Sequence, residues 1–302
     1  MIWRMTRVSE IFGVVIVNWN TCLFLKYCIE SYLSAGVVEE NIVVVDNGSI
    51  DCSIEMVRAK FPNVKIVSIP ENHGYANAAN RGAILLTTEL IVISNADIIV
   101  NRDTLQNILN KFEIDSSVGL VGARHYDAFG NERTRYTRTS VTRAILLELF
   151  PNLFRGLNGK FERHQRREQD AVETSFVEGA FMVVQRSVFE SVVGFDEGFG
   201  FFAEDADLTY RIRAAGYRAI ILRTALVIHT GGASFSQNKE RYLSEYYKSM
   251  ILFYSRHSLR RAVWLYRFLL LIFYVKCFFN NQYYNVIKSV RNLKNPLSKF
   301  NE

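Results

Sequence analysis

The amino-acid sequence predicts an α/β protein in which a mostly parallel sheet is flanked by helices. The chain has 302 residues, of which 49% are hydrophobic and 22% charged, so it can bury a large core. Continuous apolar runs rich in β-branched residues alternate with helical periodicity over about residues 11–123, which is typical of parallel strands covered on both faces. Four prolines and 17 glycines leave little room for a long flexible linker.

The first strand is predicted at 11–17, which is apolar and β-branched. Apolar residues at 25, 28, 29 and 32 then follow the i, i+3, i+4, i+7 spacing of a helix with one buried face. The second strand, 42–45, stops at Asp46-Asn47-Gly48-Ser49, where turn chemistry coincides with a helix N-cap candidate. A third strand at 64–69 is ended by Pro70.

The next elements repeat this alternation. We predict an alanine-rich helix at about 75–86, a strand at 90–94, an amphipathic helix around 105–112 and a strand at 118–121. Periodicity weakens between Arg124 and Asp170, where loops and short helices are expected. Apolar order returns at 175–184, and is followed by a helix at 204–215 and strands at 218–222 and 225–229.

Charge divides the chain into a body and a tail. The net charge is +6, but residues 1–238 hold 24 Lys and Arg against 27 Asp and Glu, whereas residues 239–302 hold 12 against 3. We therefore predict a body at 1–238, with halves at about 11–123 and 124–238, and a basic aromatic tail at 239–302. Such a tail suggests a polyanionic partner. The acidic body disfavours nucleic acid.

The tail has no segment that could cross a bilayer on sequence grounds. Its longest uncharged stretch near Trp264 is 268–275, eight residues, and crossing takes roughly 20. Two interpretations stay open. The segment is either a helix lying in an anionic membrane surface, with Trp264, Tyr266 and Tyr274 near the headgroups, or a helix that packs on the body.

Cysteine spacing and the N-terminus predict a cytoplasmic protein. Cys22, Cys28, Cys52 and Cys277 fit neither a C-x-x-C metal site nor a small disulfide framework, so a reducing compartment is expected. The apolar run at 11–17 lacks a small-residue cleavage site and is better interpreted as a strand than as a signal peptide.

Acidic residues stand where an open parallel sheet binds its ligands, beyond the carboxyl ends of the strands. Asp46 and Asp97 each follow an apolar strand, and either could bind a ligand or simply cap a turn. Glu204 and Asp205 open a predicted helix, where the helix dipole favours them structurally, although a partly desolvated carboxylate there could act as a general base. Neither G-x-G-x-x-G nor a P-loop is present.

An ordered set of short motifs extends these observations. The segments are 14–20 (VVIVNWN), 43–49 (VVVDNGS), 71–82 (ENHGYANAANRG), 93–97 (ISNAD), 177–180 (VEGA), 194–197 (GFDE), 204–208 (EDADL) and 229–232 (HTGG). Together, over about residues 11–240, they resemble the inverting, nucleotide-sugar-dependent glycosyltransferases of family 2, in particular the rhamnosyltransferase-like subgroup.

The resemblance implies a GT-A fold and a set of site residues. It implies Asp205 as catalytic base, Glu178 and Glu204 on the acceptor side, and Mg²⁺ or Mn²⁺ at Asp97 with His229. The donor would be rhamnose or another hexose attached to dTDP or UDP. It would be held by Asn18, Asp46, Asn72, Asn80, Arg81 and Asn95. Asn95 departs from the family's D-x-D motif, because it replaces the first acidic ligand.

The expected reaction is a single displacement onto a glycan or lipid-linked acceptor at the inner face of the cell membrane. The alternative is a non-catalytic sugar-nucleotide or glycan-binding subunit of a cell-surface polysaccharide assembly system, which the substitution at Asn95 favours. A glycoside hydrolase using Glu204 and Asp205 is disfavoured, because neighbours on a helix point about 100° apart.

Overall fold

The computed structural model describes residues 8–134, 170–200, 202–230, 239–257, 262–271 and 274–275. The chain divides into two compact units, Met1–Gln237 and Asn238–Glu302. Most of the region predicted to hold loops and short helices lies outside the described residues, as do Phe201 and the whole tail beyond 275.

The first unit is built from alternating strands and helices. Its described strands are β1 (Phe12–Asn18), β2 (Ile42–Asn47), β3 (Lys65–Ile69), β4 (Leu90–Asn95), β5 (Ile98–Val100), β6 (Val118–Tyr126), β7 (Ala171–Glu173), β8 (Phe181–Gln185) and β9 (Arg218–His229). Its described helices are α1 (Cys22–Ser34), α2 (Ser53–Lys60), α3 (Tyr75–Ala83), α4 (Arg102–Ile114), α5 (Arg186–Ser191) and α6 (Glu204–Ala214).

All nine strands join one sheet in the order β3-β2-β1-β4-β8-β6-β9-β5, with β7 paired to β9. Strands β1 to β4 pair in parallel, and β6 and β9 are also parallel. Strand β8 lies between β4 and β6 and is antiparallel to both. The carboxyl ends of β1, β2 and β4 therefore meet at one edge, beside the residues that precede β8.

Helices cover both faces of the sheet, and the predicted α/β class is confirmed. On one face, α1 buries Leu25, Cys28, Ile29 and Tyr32, the four positions that its periodicity predicts. On the other face the alanines of α3 pack beside the apolar side chains of α6 in a second core cluster. Because successive strand residues alternate between the two clusters, the buried strands are apolar throughout.

Two predicted boundaries are wrong for identifiable reasons. The strands predicted at 218–222 and 225–229 form the single strand β9, in which the pairing with β6 shifts from Ala123 opposite Leu222 to Arg124 opposite Leu226. The polar residues between the two apolar runs lie within this irregularity. Helix α3 ends at Ala83, because Leu86 turns back in a tight final turn to become buried.

The cysteine prediction is also wrong for one pair, because Cys22 and Cys52 form a disulfide. The two are 30 positions apart in sequence. Cys22 begins α1 after β1, and Cys52 precedes α2 after β2. Since β1 and β2 are paired neighbours, the loops that follow them lie side by side. Cys28 is free and buried. The spacing of the cysteines therefore no longer supports a reducing compartment.

The second unit contains two described helices, α7 (Lys239–Arg256) and α8 (262–271). The rings of Tyr254 and Tyr266 lie 5.1 Å apart between centroids, so the two helices contact each other. Across the part of the chain that the structure describes, no helix combines the length and the apolar character needed to span a bilayer.

Gly82 allows α3 to lie close to the sheet, and its replacement should destabilise the fold. A methyl group there would overlap the side chains of Val15 on β1 and Val45 on β2. We expect Gly82→Ala to lower the free energy of unfolding by about 1–3 kcal/mol in urea denaturation. Gly200→Ala, where no atom lies within 4 Å of an added methyl, is the control. Equal stability of both variants would contradict the packing argument.

Candidate active site

Asn18 and Asp46 are adjacent at the carboxyl ends of β1 and β2, and both are buried. The Asn18 side-chain amide donates to Asp46 Oδ1 at 2.7 Å and to Ser49 Oγ at 3.1 Å. The backbone N–H of Ser49 donates to Asp46 Oδ2 at 3.1 Å. Each Asp46 oxygen therefore accepts one hydrogen bond from the protein, which holds the carboxylate in one orientation.

The loop carrying Asn72 packs on the end of β2. Gly48 has φ +81°, and an added Cβ would meet the backbone of Glu71 at 2.8 Å, so a glycine is needed for this approach. The Asn47 amide donates to Asn72 Oδ1 at 3.0 Å, and the same oxygen accepts from the backbone N–H of Gly74 at 2.9 Å. Asn72 thus shapes the turn that leads into α3.

Asn80 and Arg81 lie on α3 and face the segment after α5. Asn80 exchanges hydrogen bonds with the backbone of Phe195, donating at 3.0 Å and accepting at 2.9 Å, and it also donates to Glu197. Arg81 is exposed and donates to Asn77 at 2.9 Å. The hydrogen bonds from Asn80 and Asn77, with the charge of Arg81, lower the pKa of Glu197. Asn80 therefore joins α3 to the 195–197 segment.

Asp97 follows β4 and forms an ion pair with His229 at the end of β9, with Oδ1 and Nε2 3.3 Å apart. Asn95, two residues earlier, donates its backbone N–H to Ala180 at 2.9 Å and so joins β4 to the residues before β8. Burial lowers the pKa of His229, but the hydrogen bond and charge of Asp97, with the charge of Glu178, outweigh it and raise the pKa above its usual value.

A second histidine, His125, stands beside this pair. Its ring and that of His229 are edge-to-face at 5.8 Å, and its Nδ1 lies 3.5 Å from Glu178 Oε2. His125 is 3% exposed. Two acid–imidazole pairs, Asp97 with His229 and Glu178 with His125, are therefore in contact through their rings.

Asp205, at the start of α6, contacts the residue that follows Glu178. The backbone N–H of Gly179, next to Glu178, donates to Asp205 Oδ2 at 2.8 Å, and the N–H of Ala206 donates to Oδ1 at 2.8 Å. These bonds and the helix N-terminus both favour the ionised carboxylate.

Tyr75 contacts the same backbone residue as Asp205, namely Gly179. Its hydroxyl donates to the carbonyl oxygen of Gly179. Burial raises the pKa of Tyr75 well above its ordinary value, and the negative charges of Glu204, Asp205 and Asp97 raise it further. Tyr75 and Asp205 therefore both contact Gly179, and the charges of all three carboxyl groups act on the phenol.

Glu204 is the strained member of this group. Its Oε2 is enclosed and has no hydrogen-bond partner among the described residues. Burial first, and then the neighbouring charge of Asp205, raise the pKa of Glu204 to about 8. The backbone before it is also strained, because Phe202 and Ala203 both have positive φ. At neutral pH, Glu204 is therefore mainly a neutral carboxylic acid.

A cavity reaches one residue of the site, Asp97, from the side of α1. The cavity has a volume of about 490 Å³, lies between α1 and β5, and is lined by Phe24, Tyr27, Ile99 and Thr230 among others. This volume is within the range of small-molecule sites. Among the described residues, no group of three or more His, Cys, Asp and Glu side chains is arranged to hold a metal ion.

The structure separates the predicted site residues into three groups. Asp97, His229, Glu178 and Asp205 are linked by contacts through His125 and Gly179, and Glu204 is next to Asp205 in sequence. Asn18, on β1, is one strand away from β4, and Asp46, on β2, is two strands away, at the same edge of the sheet. Asn80 is directed toward the 195–197 segment, where both the nitrogen and the oxygen of its side-chain amide bond to protein partners, and Arg81 donates to Asn77 on α3.

Sequence reasoning missed His125 and Tyr75. His125 follows the apolar run of β6 just as Asp97 follows β4, so the same rule of a polar residue after a strand would have found it. It was masked by the weak periodicity beyond Arg124. Tyr75 lies inside the 71–82 motif, but no sequence signal indicates that its hydroxyl reaches Gly179, 104 positions away.

Comparison with known proteins identifies the fold. The fold is that of GT-A glycosyltransferases, as in the mannosyltransferase PcManGT from Pyrobaculum calidifontis in complex with GDP-Man and Mn²⁺ (18% identity, TM-score 0.56, covering 85% of this chain and 70% of that one). S. aureus TarS 1-349 in complex with UDP-GlcNAc is also similar (15% identity, TM-score 0.57, 80% and 65% covered).

Sequence comparison is more specific. The profile described as Glycosyl transferase family 2 matches residues 13–193, more than half of the chain, and the chain belongs to this family. It is 24% identical over 264 residues to the N-acetylglucosaminyl-diphospho-decaprenol L-rhamnosyltransferase of Mycobacterium tuberculosis, with 83% of this chain and 86% of that protein covered. The family and fold inferred from the motifs are confirmed.

The raised pKa of Glu204 should make stability depend on pH. The native state keeps a proton on Glu204 up to about pH 8, whereas an unfolded glutamate loses it near 4.5, so native stability should fall as pH rises between these values. Glu204→Gln should lack this component of the slope and be more stable than the parent at pH 8, measured by urea unfolding at pH 5 to 8. Parallel stability curves for the two proteins would contradict it.

Proposed function

We propose that this glycosyltransferase moves a sugar, rhamnose or another hexose, from a dTDP- or UDP-sugar to a glycan or lipid-linked acceptor with inversion. The observation that carries the proposal is the series of contacts between Asp97 and Asp205. Asp97 pairs with His229, whose ring contacts His125 beside Glu178, and the next residue, Gly179, donates its N–H to Asp205. Inverting transfer needs a group that stabilises the leaving diphosphate and, across the anomeric carbon, a base for the acceptor hydroxyl.

The nucleotide would lie along the carboxyl ends of β2, β1 and β4. Asp46 at one end would accept a hydrogen bond from the pyrimidine base, with Asn18 fixing its orientation. Asn72, Asn95, Asn80 and Arg81 complete the set proposed around the donor. Strands in a sheet are about 4.8 Å apart, so the end of β2, which carries Asp46, and the end of β4, which precedes Asp97, are about 10 Å apart. This separation suits a ligand with a base at one end and a diphosphate toward the other.

Asp97 and His229 fit a divalent cation, Mg²⁺ or Mn²⁺. Mg²⁺ usually binds one or two protein carboxylates together with substrate phosphates, so two protein ligands suffice when the donor diphosphate supplies the others. When bound, the cation would neutralise charge on the leaving diphosphate. The Mn²⁺ named with the Pyrobaculum mannosyltransferase supports this assignment. Asn95 would contribute no charge to the site.

Asp205 would remove the proton from the acceptor hydroxyl as that oxygen attacks the anomeric carbon. Gly179 and Ala206 hold its two oxygens by backbone N–H groups, so the carboxylate is already oriented before substrate binds. Single displacement breaks the bond to the diphosphate as the new glycosidic bond forms, and the configuration inverts. Glu178 and the neutral Glu204 would contact the acceptor side.

We place this reaction at the cytoplasmic surface of the cell membrane. The relative from Mycobacterium tuberculosis is named for a diphospho-decaprenol acceptor, which is lipid-linked. The tail carries 12 basic and 3 acidic residues, and the cytoplasmic leaflet is the anionic one.

The second candidate is a non-catalytic subunit that binds a sugar nucleotide or a glycan during polysaccharide assembly. Asn95 favours it, because a charged ligand of the D-x-D motif is absent. Metal-dependent hydrolysis or transfer of any donor by the purified protein would exclude it.

Replacing the proposed base tests the mechanism. Asp205→Asn should lower kcat by about 10²–10⁴-fold while the donor Kd stays within threefold, measured by product release and calorimetry. Asp207→Asn is the matched control on the same helix turn, because Asp207 pairs with Arg211 at 2.7 Å and should affect stability more than turnover. Full turnover by Asp205→Asn would remove Asp205 from the role of base.

Donor and metal identity can be read from thermal shifts. A panel of dTDP- and UDP-sugars should raise Tm most in the presence of Mn²⁺. Asp97→Asn should raise the Mn²⁺ concentration needed for half of that shift at least tenfold, because a charged ligand is lost. Asp103→Asn, which alters an exposed carboxylate in α4, should change nothing. An unchanged Mn²⁺ requirement in Asp97→Asn would contradict the metal assignment.

A further inference from the structure

Helix α8 has apolar residues on two opposite sides. Ala262 and Tyr266 are 6% and 1% exposed, whereas Trp264 is 70% exposed and Phe268 and Leu271 are each 59% exposed. A helix with one apolar side is explained by packing on one neighbour. The second apolar side of α8 needs another explanation.

The buried side packs against α7. The ring of Tyr266 contacts that of Tyr254 at 5.1 Å and that of Tyr247 at 6.4 Å. Tyr254 is 2% exposed, and Ser249 and Phe253 on α7 are also buried. These contacts orient α8 about its axis and so fix which residues face outward.

The exposed side consists of Trp264, Phe268 and Leu271, which we call the outer face of α8. Their i, i+4, i+7 spacing places them on one stripe along the helix. Tyr274 and Val275, in the next described residues, are 46% and 47% exposed. Exposed contiguous aromatic and aliphatic side chains of this kind mark an interaction surface rather than an ordinary soluble exterior.

Positive charge accompanies the outer face. The guanidinium of Arg267 lies 5.7 Å from the ring of Trp264. Arg260 and Arg261 precede α8 in sequence, and Lys276 follows Val275. The whole tail has an excess of nine positive charges. A stripe of Trp, Phe and Leu with Arg267 beside it, in a segment flanked in sequence by further Arg and Lys, has the composition of helices that lie in the surface of anionic bilayers.

We propose that the outer face of α8 docks the protein on an anionic lipid bilayer, with Trp264, Phe268 and Leu271 inserted among the headgroups and upper acyl chains. The helix would lie parallel to the membrane plane, with Arg267 reaching lipid phosphates. Helix α7 would stay on the aqueous side, because its contacts with Tyr266 occupy the opposite face of α8.

Lipid suits this surface better than a protein groove or a nucleic acid. Nucleic acid attracts the charge but does not accept a stripe of Phe and Leu. A second copy of the chain would bring like charges together. A bilayer surface supplies both anionic phosphates and an apolar layer directly beneath them. The inference names the docking surface for the proposed membrane location, but it does not depend on the transfer reaction.

The experiment is flotation of the full chain, without donor or acceptor, with vesicles of phosphatidylcholine alone or with 30% phosphatidylglycerol. The parent should float only with the anionic vesicles. Phe268→Glu with Leu271→Glu should reduce the bound fraction at least tenfold. The matched control is Ile84→Glu with Phe129→Glu, which places the same charges at residues of the first unit that are 84% and 92% exposed. This control should float like the parent.

A second measurement locates the insertion. Brominated lipids quench indoles that enter the acyl region, so the fluorescence of the parent should be quenched more than that of Trp264→Phe.

Failure of the parent to bind anionic vesicles, equal flotation of the Phe268/Leu271 variant, or equal loss in the control would overturn the proposal. Self-association that is abolished by the Phe268/Leu271 variant without vesicle binding would instead assign the face to a second copy. Activity on a water-soluble acceptor should be unchanged, which separates failure of docking from failure of the proposed reaction.

Discussion

The crowding of carboxyl groups around Tyr75 is the constraint on which the rest of the site depends. Three acids share this half-buried region, and each one is accommodated differently. Asp97 pairs with His229, Asp205 accepts two backbone N–H bonds at a helix N-terminus, and Glu204 keeps its proton. Repulsion between like charges is therefore relieved without removing any of the groups.

The sheet explains why these groups can meet at all. Parallel pairing of β1, β2 and β4 places their polar carboxyl ends on one edge, and the antiparallel strand β8 brings its preceding residues, Glu178 and Gly179, to the same edge. Gly179 serves twice, since its N–H orients Asp205 and its carbonyl accepts from Tyr75. A short stretch of backbone thus couples the acid near the histidines to the proposed base.

Much of the fold was predictable because buried parallel strands and helices with one apolar face leave direct traces in sequence. The four buried positions of α1 follow from spacing alone. The interruption within β9, the early end of α3 and the Cys22–Cys52 disulfide were not predictable, because each depends on which strands or side chains become neighbours. His125 could have been found by applying the strand-end rule once more, whereas the contact of Tyr75 with Gly179 could not.

The sequence by itself determined the α/β class, the family, and the acidic and amide residues available at the strand ends, since these follow from local periodicity and motifs. Only the tertiary structure decided which of them act on one another. It joined Asp97 to His229 and Asp205 to Gly179, turned Asn80 toward Phe195, and left Glu204 Oε2 enclosed without a partner among the described residues. It also showed that α8 has an outer as well as a packed apolar side. The reason is physical: charge state and exposure depend on neighbours distant in sequence, and those neighbours exist only once the chain has folded.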